Sequence, residues 1–353
     1  MIPFYDIKKS YDENCAQGPF GAFADGEIFE DKGEPGFDFL GHKVYSPFGI
    51  PAGPLVNGKF VCAALDKGFD IPVYKTVRTR VQESHAWPNV VGIEAKGAIT
   101  RGASVQVADS KGAPLSISNS FGVPSYDPAF WQEDMKQAVA YAKKGQVVVG
   151  SFQGTKQGKG DVEAYLADFV RAAVLVKETG VPIVEVNLSC PNEGTSDLLC
   201  FDTARVKIIV ERIKNAIGDL PLIIKIAYFW DSEALKALIG EVGKMIQGVA
   251  AINTIPAHVV DKEGKQALSG KERAQSGVGG RAIKWAGLEM MERLRRIRTE
   301  RGLIYTIVGM GGVITPQDFQ AYRDAGADVV MSATGAMWNP YLAKEIKEAV
   351  SWA

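Results

Sequence analysis

Eight short apolar runs, separated by helix-length segments, constrain the fold more than any other feature of this chain. The runs cover residues 44–52, 69–75, 147–152, 183–188, 222–226, 248–253, 304–308 and 329–332. Helical patterns fall at 58–67, 128–143, 162–178, 203–216, 231–242, 280–300 and 316–324, with a last one at 340–350. Strands alternating with helices of this length predict a parallel sheet. The near-continuous apolar character of the runs predicts burial on both faces of that sheet. Eight such units predict an α/β protein, a closed (β/α)8 barrel of the TIM type. Periodicity alone does not close a barrel, so an open doubly wound sheet is the competing arrangement.

A chain of 353 residues with 46% hydrophobic content can bury a large core in one or two domains. The expected division is an amino-terminal extension over 1–42 and a barrel over 43–353, with an inserted excursion near 78–118. The formal net charge of -1 and the lack of a long basic tract argue against a nucleic-acid partner. The cysteines, Cys15, Cys62, Cys190 and Cys200, form no C-x-x-C pair, which argues against a disulfide framework, a structural zinc or an iron–sulfur cluster. Only His42, His85 and His258 could supply imidazole, so no metal site is expected. Without an eighteen-residue apolar run or a signal-peptide core near the start, the expectation is a soluble cytoplasmic protein with no membrane partner.

In a barrel, functional residues fall at the carboxyl ends of strands and in the loops that follow. Lys75, Asn187, Lys225, Asn253 and Gly309 all lie at such ends. A capping asparagine or an exposed lysine explains any one of them; five together favour a site. The stretch 76–147 is too long for one crossover, and 89–94 and 115–118 read as strands or loops decorating the mouth. The Gly-rich, acidic stretch 18–41 reads as a solvent-facing loop.

Two local patterns carry chemistry. Residues 185–192 read EVNLSCPN, an apolar strand delivering Asn187 and then a loop with Cys190 and Asn192, where Pro191 cannot donate to a ladder. A lone cysteine is more often a buried small hydrophobe than a catalyst. Three glycine-rich places, 276–280, 309–312 and 332–335, let backbone N–H groups approach a phosphate. Helix starts after Gly280 and Gly312 would add positive charge there. Neither a Walker A loop nor a dinucleotide fingerprint in its strand–turn–helix context is present. Three such loops in late barrel order favour a flavin mononucleotide or phosphosugar site over three independent turns.

With the EVNLSCPN segment, Lys75-Thr76, Asn119-Ser120-Phe121-Gly122, Lys225, Ile252-Asn253-Thr254 and these loops, the chain resembles the dihydroorotate dehydrogenases, specifically their soluble first class, from about Val44 to the last helix. The resemblance implies an FMN-containing barrel that oxidises dihydroorotate to orotate in pyrimidine biosynthesis. It implies catalytic roles for Cys190, as the base taking the C5 proton, and for Lys75, near substrate and flavin. The implied substrate set is Lys75, Asn119, Phe121, Gly122, Val123, Asn187, Asn192, Asn253 and Thr254. The implied flavin set is Ala52, Gly53, Lys75, Thr76, Asn187, Lys225, Gly279, Gly280, Gly311, Gly312, Ala333 and Thr334, with Lys225 stabilising negative charge on the reduced ring. Cys62 and Cys200 lack this context and read as structural.

The resemblance to the soluble first class implies fumarate as electron acceptor and, on family resemblance only, a homodimer. A serine base and a membrane-associated extension mark the quinone-linked class. A separate flavin and iron–sulfur subunit is the other arrangement the family uses. The long 78–118 excursion departs from the compact first-class pattern. The competing functions are a flavin-dependent dihydrouracil or dihydrothymine oxidoreductase, a phosphosugar aldolase or isomerase barrel, and a noncatalytic binding barrel.

Overall fold

The computed structural model describes residues 2–95, 97–108, 113–156, 161–189 and 198–350. Eight strands, β1 (Phe48–Ile50), β2 (Ile71–Val77), β3 (Val149–Phe152), β4 (Ile183–Asn187), β5 (Leu222–Ile226), β6 (Gly248–Ala251), β7 (Thr306–Met310) and β8 (Val329–Met331), pair in parallel in chain order. β8 pairs with β1, so the sheet closes as a (β/α)8 barrel and the open-sheet alternative is excluded. The helices that follow the strands are α1 (Gly58–Asp66), α2 (Pro128–Tyr141), α3 (Val162–Lys177), α4 (Thr203–Ile217), α5 (Ser232–Val242), α6 (Lys284–Glu300), α7 (Pro316–Ala325) and α8 (Leu342–Ala349). Their starts are chemically marked. Asn57, Asp127, Asp161, Asp202 and Asp231 each accept a first-turn backbone N–H at an N-cap.

The apolar runs overshoot the strands at their ends. The 44–52 run divides, because His42–Val44 pairs with Phe37–Phe39 as an antiparallel hairpin before β1 begins. Between them Ser46 gives its N–H to Asp70 Oδ2 (2.7 Å), and Pro47 has no N–H to give. The 304–308 run starts late, and Ile304 is 97% exposed. The hairpin corrects the reading of 18–41 as a solvent-facing loop. Phe39 and Val44 are buried and pack on Ile71, Val73, Ile183 and Val308, plugging the barrel at its strand entrances. Phe23 is also buried, against Phe4 and Phe69.

At the opposite end, the excursions after β2 and β6 join into a closed five-stranded sheet over the mouth. It contains Val90–Glu94, Ser104–Val107, Ser116–Asn119, Ile255–Val260 and Ser276–Gly280, with one parallel contact among antiparallel pairs. The 276–280 run is therefore a strand rather than a loop. Its glycines serve close packing, since a Cβ on Gly277 would lie 2.0 Å from Thr254 Oγ1. Gly280, at φ 85°, would put a Cβ 2.4 Å from the Leu115 carbonyl. The helix starts also differ. After Gly280 comes a 3-10 turn, Arg281–Ile283, before α6. After Gly312 the helix waits until Pro316, capped by Thr315. A short helix, Thr334–Trp338, starts within the third glycine-rich loop itself.

The amino-terminal residues also run to the mouth. Phe4 donates its N–H to Met337 O (3.0 Å) and accepts from Phe20 N–H (3.0 Å), which ties this segment to the Thr334–Trp338 helix. Among the described residues no helix is long and apolar enough to cross a membrane.

Candidate active site

A cavity of about 1270 Å³, open mouth included, sits where the strand ends meet the five-stranded sheet. Its lining contains every described residue of the expected site: Ala52, Gly53, Lys75, Thr76, Asn119, Phe121, Gly122, Val123, Asn187, Lys225, Asn253, Thr254, Gly279, Gly280, Gly311, Gly312, Ala333 and Thr334. Cys190 and Asn192 lie outside the described residues.

The amides are held by one another. Asn187 Oδ1 accepts from both the N–H and the hydroxyl of Ser189 (3.2 and 3.1 Å). Asn253 Nδ2 donates to Ser189 Oγ (2.9 Å), while its Oδ1 accepts from Thr254 N–H (2.8 Å). The Gln153 side chain lies 3.0 Å from Asn187 Nδ2. Ser189 thus fixes two amides, one at the end of β4 and one just past β6, a role the sequence reading did not assign although the residue sits inside the motif. Asn119 ends a mouth strand whose neighbours are Val90 and Gly277. Beyond it the loop is bent, with Gly122 at φ 78° and Val123 at φ 50°, and Arg78 Nε holds the Val123 carbonyl at 2.9 Å. Positive φ at a β-branched residue is strained and is sustained here by that buried guanidinium.

Lys75 and Lys225 are both buried, at the carboxyl ends of β2 and β5. Lys225 Nζ donates to the Ala52 carbonyl (3.2 Å). Below them runs a buried polar chain in which Thr76 Oγ1 meets Ser151 Oγ (3.0 Å) and Ser151 donates to Glu185 Oε1 (2.9 Å). These two lysines are the charged residues of the described lining, and no carboxylate joins them there. A cavity of that sign concentrates anions.

The other end of the cavity is glycine and hydroxyl. A Cβ on Gly279 would meet only Thr254 and, at 3.9 Å, Thr334 Oγ1, so the glycine leaves room facing a hydroxyl. Gly311 and Gly312 follow β7 at φ 126° and 72°. Two residues not anticipated from sequence hold this end. Tyr322 on α7 donates to Gly311 O (2.6 Å), and Ser332 donates to Val313 O (2.6 Å) while accepting from Ala336 N–H. Tyr5 and Met337 are further lining residues that were missed, since only tertiary structure brings them here.

The remaining thiols stand in environments that disfavour the thiolate. Burial pushes Cys15 and Cys62 up to about 11 and Cys200 up to about 12. Burial and the neighbouring Arg273 hold His85 below the usual histidine range, so the imidazole beside Gly122 is neutral near pH 7. Among the described residues no cluster of His, Cys, Asp or Glu could hold a metal ion.

The sequence profile of dihydroorotate dehydrogenase matches residues 37–352. A dihydroorotate dehydrogenase from Dictyostelium discoideum is 34% identical over 97% of this chain and 95% of its own length. The chain belongs to the dihydroorotate dehydrogenase family. The catalytic subunit of an NAD(+)-linked dihydroorotate dehydrogenase B from Thermodesulfovibrio yellowstonii is 29% identical over 52% of this chain and 59% of its own. A quinone-linked member from Thermobifida fusca is 27% identical over 85% of this chain and 74% of its own. A member named for fumarate is also among the matches.

The enzyme is accordingly an FMN-dependent oxidoreductase of pyrimidine biosynthesis that oxidises dihydroorotate. The phosphosugar and noncatalytic readings fall with this assignment. The residues present fit the cofactor. The room beside Gly279 and Thr334 suits a phosphate, and a buried ammonium at Lys225 suits the anionic edge of a reduced flavin. The amide cluster offers both donors and acceptors, as the imide and amide edges of a pyrimidine require.

Proposed function

We propose that Cys190 is the base of this oxidation, that the described amides and Lys75 hold the pyrimidine, and that fumarate takes the electrons. The observation that carries the reading is the cavity itself. Two buried lysines, without a carboxylate in the described lining, share it with an amide cluster and a set of glycines. In this reading Asn119, Asn187, Asn192 and Asn253 orient the ring, with Ser189 holding Asn187 and Asn253 in register. Phe121, Gly122, Val123 and Thr254 close the pocket around it. Cys190 removes the C5 proton as the C6 hydride leaves. Bound FMN supplies the hydride acceptor, held by Ala52, Gly53, Thr76, Lys225 and the glycine loops. Lys225 offsets the charge that results, and Lys75 spans the substrate and cofactor halves.

Support for Cys190 comes from its motif and from the raised thiols at the other cysteine positions. A dicarboxylate acceptor suits a lysine-lined cavity that already admits a carboxylate. We further read the enzyme as a cytoplasmic homodimer, on family resemblance, which sedimentation velocity checks.

The test is anaerobic stopped-flow absorbance with dihydroorotate. The parent's visible flavin band should bleach rapidly. The Cys190→Ala variant should bind FMN normally and bleach about 10²–10⁴-fold more slowly. Equal rates would sink the base assignment. Bound flavin reduced by dihydrouracil but not by dihydroorotate would move the substrate to the neutral dihydropyrimidines. Mixing the reduced enzyme with fumarate, a quinone or NAD(+) then reads the acceptor. Reoxidation by NAD(+) only when an added subunit is present would replace fumarate by the two-protein arrangement.

A further inference from the structure

We propose that Tyr5, in the amino-terminal segment, is a substrate-positioning residue whose phenol donates a hydrogen bond to an oxygen of the bound pyrimidine. The proposal rests on the dihydroorotate reading above and extends its site beyond residues 37–352, the stretch that matches the family.

Tyr5 lines the catalytic cavity and is 1% exposed, yet among the described residues its hydroxyl meets no hydrogen-bond partner. Buried polar groups are nearly always paired, and an unpaired one calls for an explanation. Other buried tyrosines here follow the rule. Tyr74 donates to Asp134 (2.6 Å), Tyr305 to the Leu294 carbonyl (2.9 Å), and Tyr322 to the Gly311 carbonyl (2.6 Å).

The placement of Tyr5 is not casual. The main chain beside it is fixed on both sides of the neighbouring residue, by Phe4 N–H to Met337 O and Phe20 N–H to Phe4 O. Its ring packs edge-on against Phe121 at 5.6 Å between centroids, and Phe121 belongs to the loop that carries Asn119. The segment therefore ties the phosphate-side helix Thr334–Trp338 to the substrate-side loop, with Tyr5 at the join. Burial, with Cys15, Asp12 and Asp6 nearby, raises the Tyr5 pKa, so the phenol is protonated and available as a donor. Its natural partner in this cavity is an acceptor oxygen. The expected ligand offers two kinds, a carboxylate and ring carbonyls.

The experiment uses the FMN-loaded full chain and its Tyr5→Phe variant, which keeps the ring and removes only the hydroxyl. Steady-state kinetics with dihydroorotate are paired with flavin-perturbation titrations of orotate and of uracil, and with thermal melts. KM for dihydroorotate and Kd for orotate should rise about tenfold, the usual consequence of losing one hydrogen bond to a charged or strongly polar ligand. The rise should sit in KM, with kcat and FMN content held and a melting temperature no lower than the parent's. Loss of affinity for orotate alone assigns the bond to the carboxylate; equal loss for uracil assigns it to a ring carbonyl. Either supports the proposal. Unchanged KM and Kd would overturn it, as would a lowered melting temperature with unchanged ligand binding, which marks a structural phenol. If orotate binding depends on Tyr5 but dihydroorotate fails to reduce the flavin, the functional reading falls and the positioning role stands.

Discussion

The two ends of the barrel treat buried polar groups in opposite ways. At the strand entrances, Asp70 is fully buried and saturated. It accepts from the N–H and hydroxyl of Ser46 (2.7 and 2.6 Å) and pairs with Lys347 (3.0 Å), which also bridges to Asp31 at 2.7 Å. One cluster thereby ties the amino-terminal segment, the first strands and α8 together, above a plug made by Phe39 and Val44. At the mouth, the hydroxyls of Tyr5 and Ser276 are buried without a partner among the described residues, and Val123 stands at positive φ. The floor spends its polar groups on the fold; the mouth leaves some unspent for a ligand. Barrels generally separate stability from chemistry in this way.

Mutation at the two ends should separate the same properties. The largest effect is expected at the floor. The Lys347→Met variant leaves Asp31 and Asp70 facing each other without their common cation, and removing one partner of a buried pair costs about 3–5 kcal/mol. Urea unfolding should show that loss, while turnover per folded, FMN-loaded molecule stays at the parent's level. Stability within about 0.5 kcal/mol of the parent would mean that the cluster is not what holds the floor. At the mouth, the Lys225→Met variant should reverse the pattern. Dihydroorotate-driven flavin reduction should slow about 10²-fold, as when one preorganised donor is removed from a developing charge. Its unfolding midpoint should be no lower than the parent's, because a buried ammonium with a carbonyl at 3.2 Å is replaced by an apolar chain. A large stability loss there would erase the distinction between the ends.

The barrel was legible because each of its strands is a continuous apolar run, and the caps that start the helices are Asp or Asn directly before the periodic segments. What was not legible is instructive. Phe37 and Phe39 alternate with polar residues in a stretch dominated by glycine and acid, so their burial follows only from the barrel they plug. Ser104–Val107 is a strand with mostly polar or half-exposed residues, stabilised by its neighbours rather than by its own apolarity. Residues 276–280 read as a loop because glycine is the usual mark of one, but they form a strand. Here the glycines admit Thr254 and Leu115 at contact distance. The cavity's polar strand ends were readable, since each falls where an apolar run ends and barrel chemistry gathers at those carboxyl ends. Ser189, Tyr322 and Ser332 were not, because their roles are to orient other residues and nothing in local pattern announces a hydrogen bond across the fold.

A last prediction is a pH dependence that belongs to the floor alone. Burial pushes Asp70 up to about 7, against the opposing pull of Lys347. In the unfolded chain the same carboxyl titrates near the ordinary value of about 3.9. Between those values the folded protein keeps a proton that the unfolded chain has released. The stabilisation linked to that proton is therefore fully present below about pH 4 and is lost as pH rises toward 7, with a limiting slope of about 1.4 kcal/mol per pH unit. The Asp70→Asn variant cannot titrate at this position but keeps an oxygen for Ser46 to donate to. Its unfolding midpoint should change less between pH 5 and 7.5 than the parent's, and the difference between the two curves should vanish above pH 8 as a slope, leaving a constant offset. Orotate affinity should show no such difference between the two proteins, because Asp70 lies at the end of the barrel away from the cavity. Parallel stability curves through the whole window would mean that Asp70 is already ionised at pH 5, held so by Lys347 and Ser46. The floor would then be an ordinary saturated ion pair with no proton linkage.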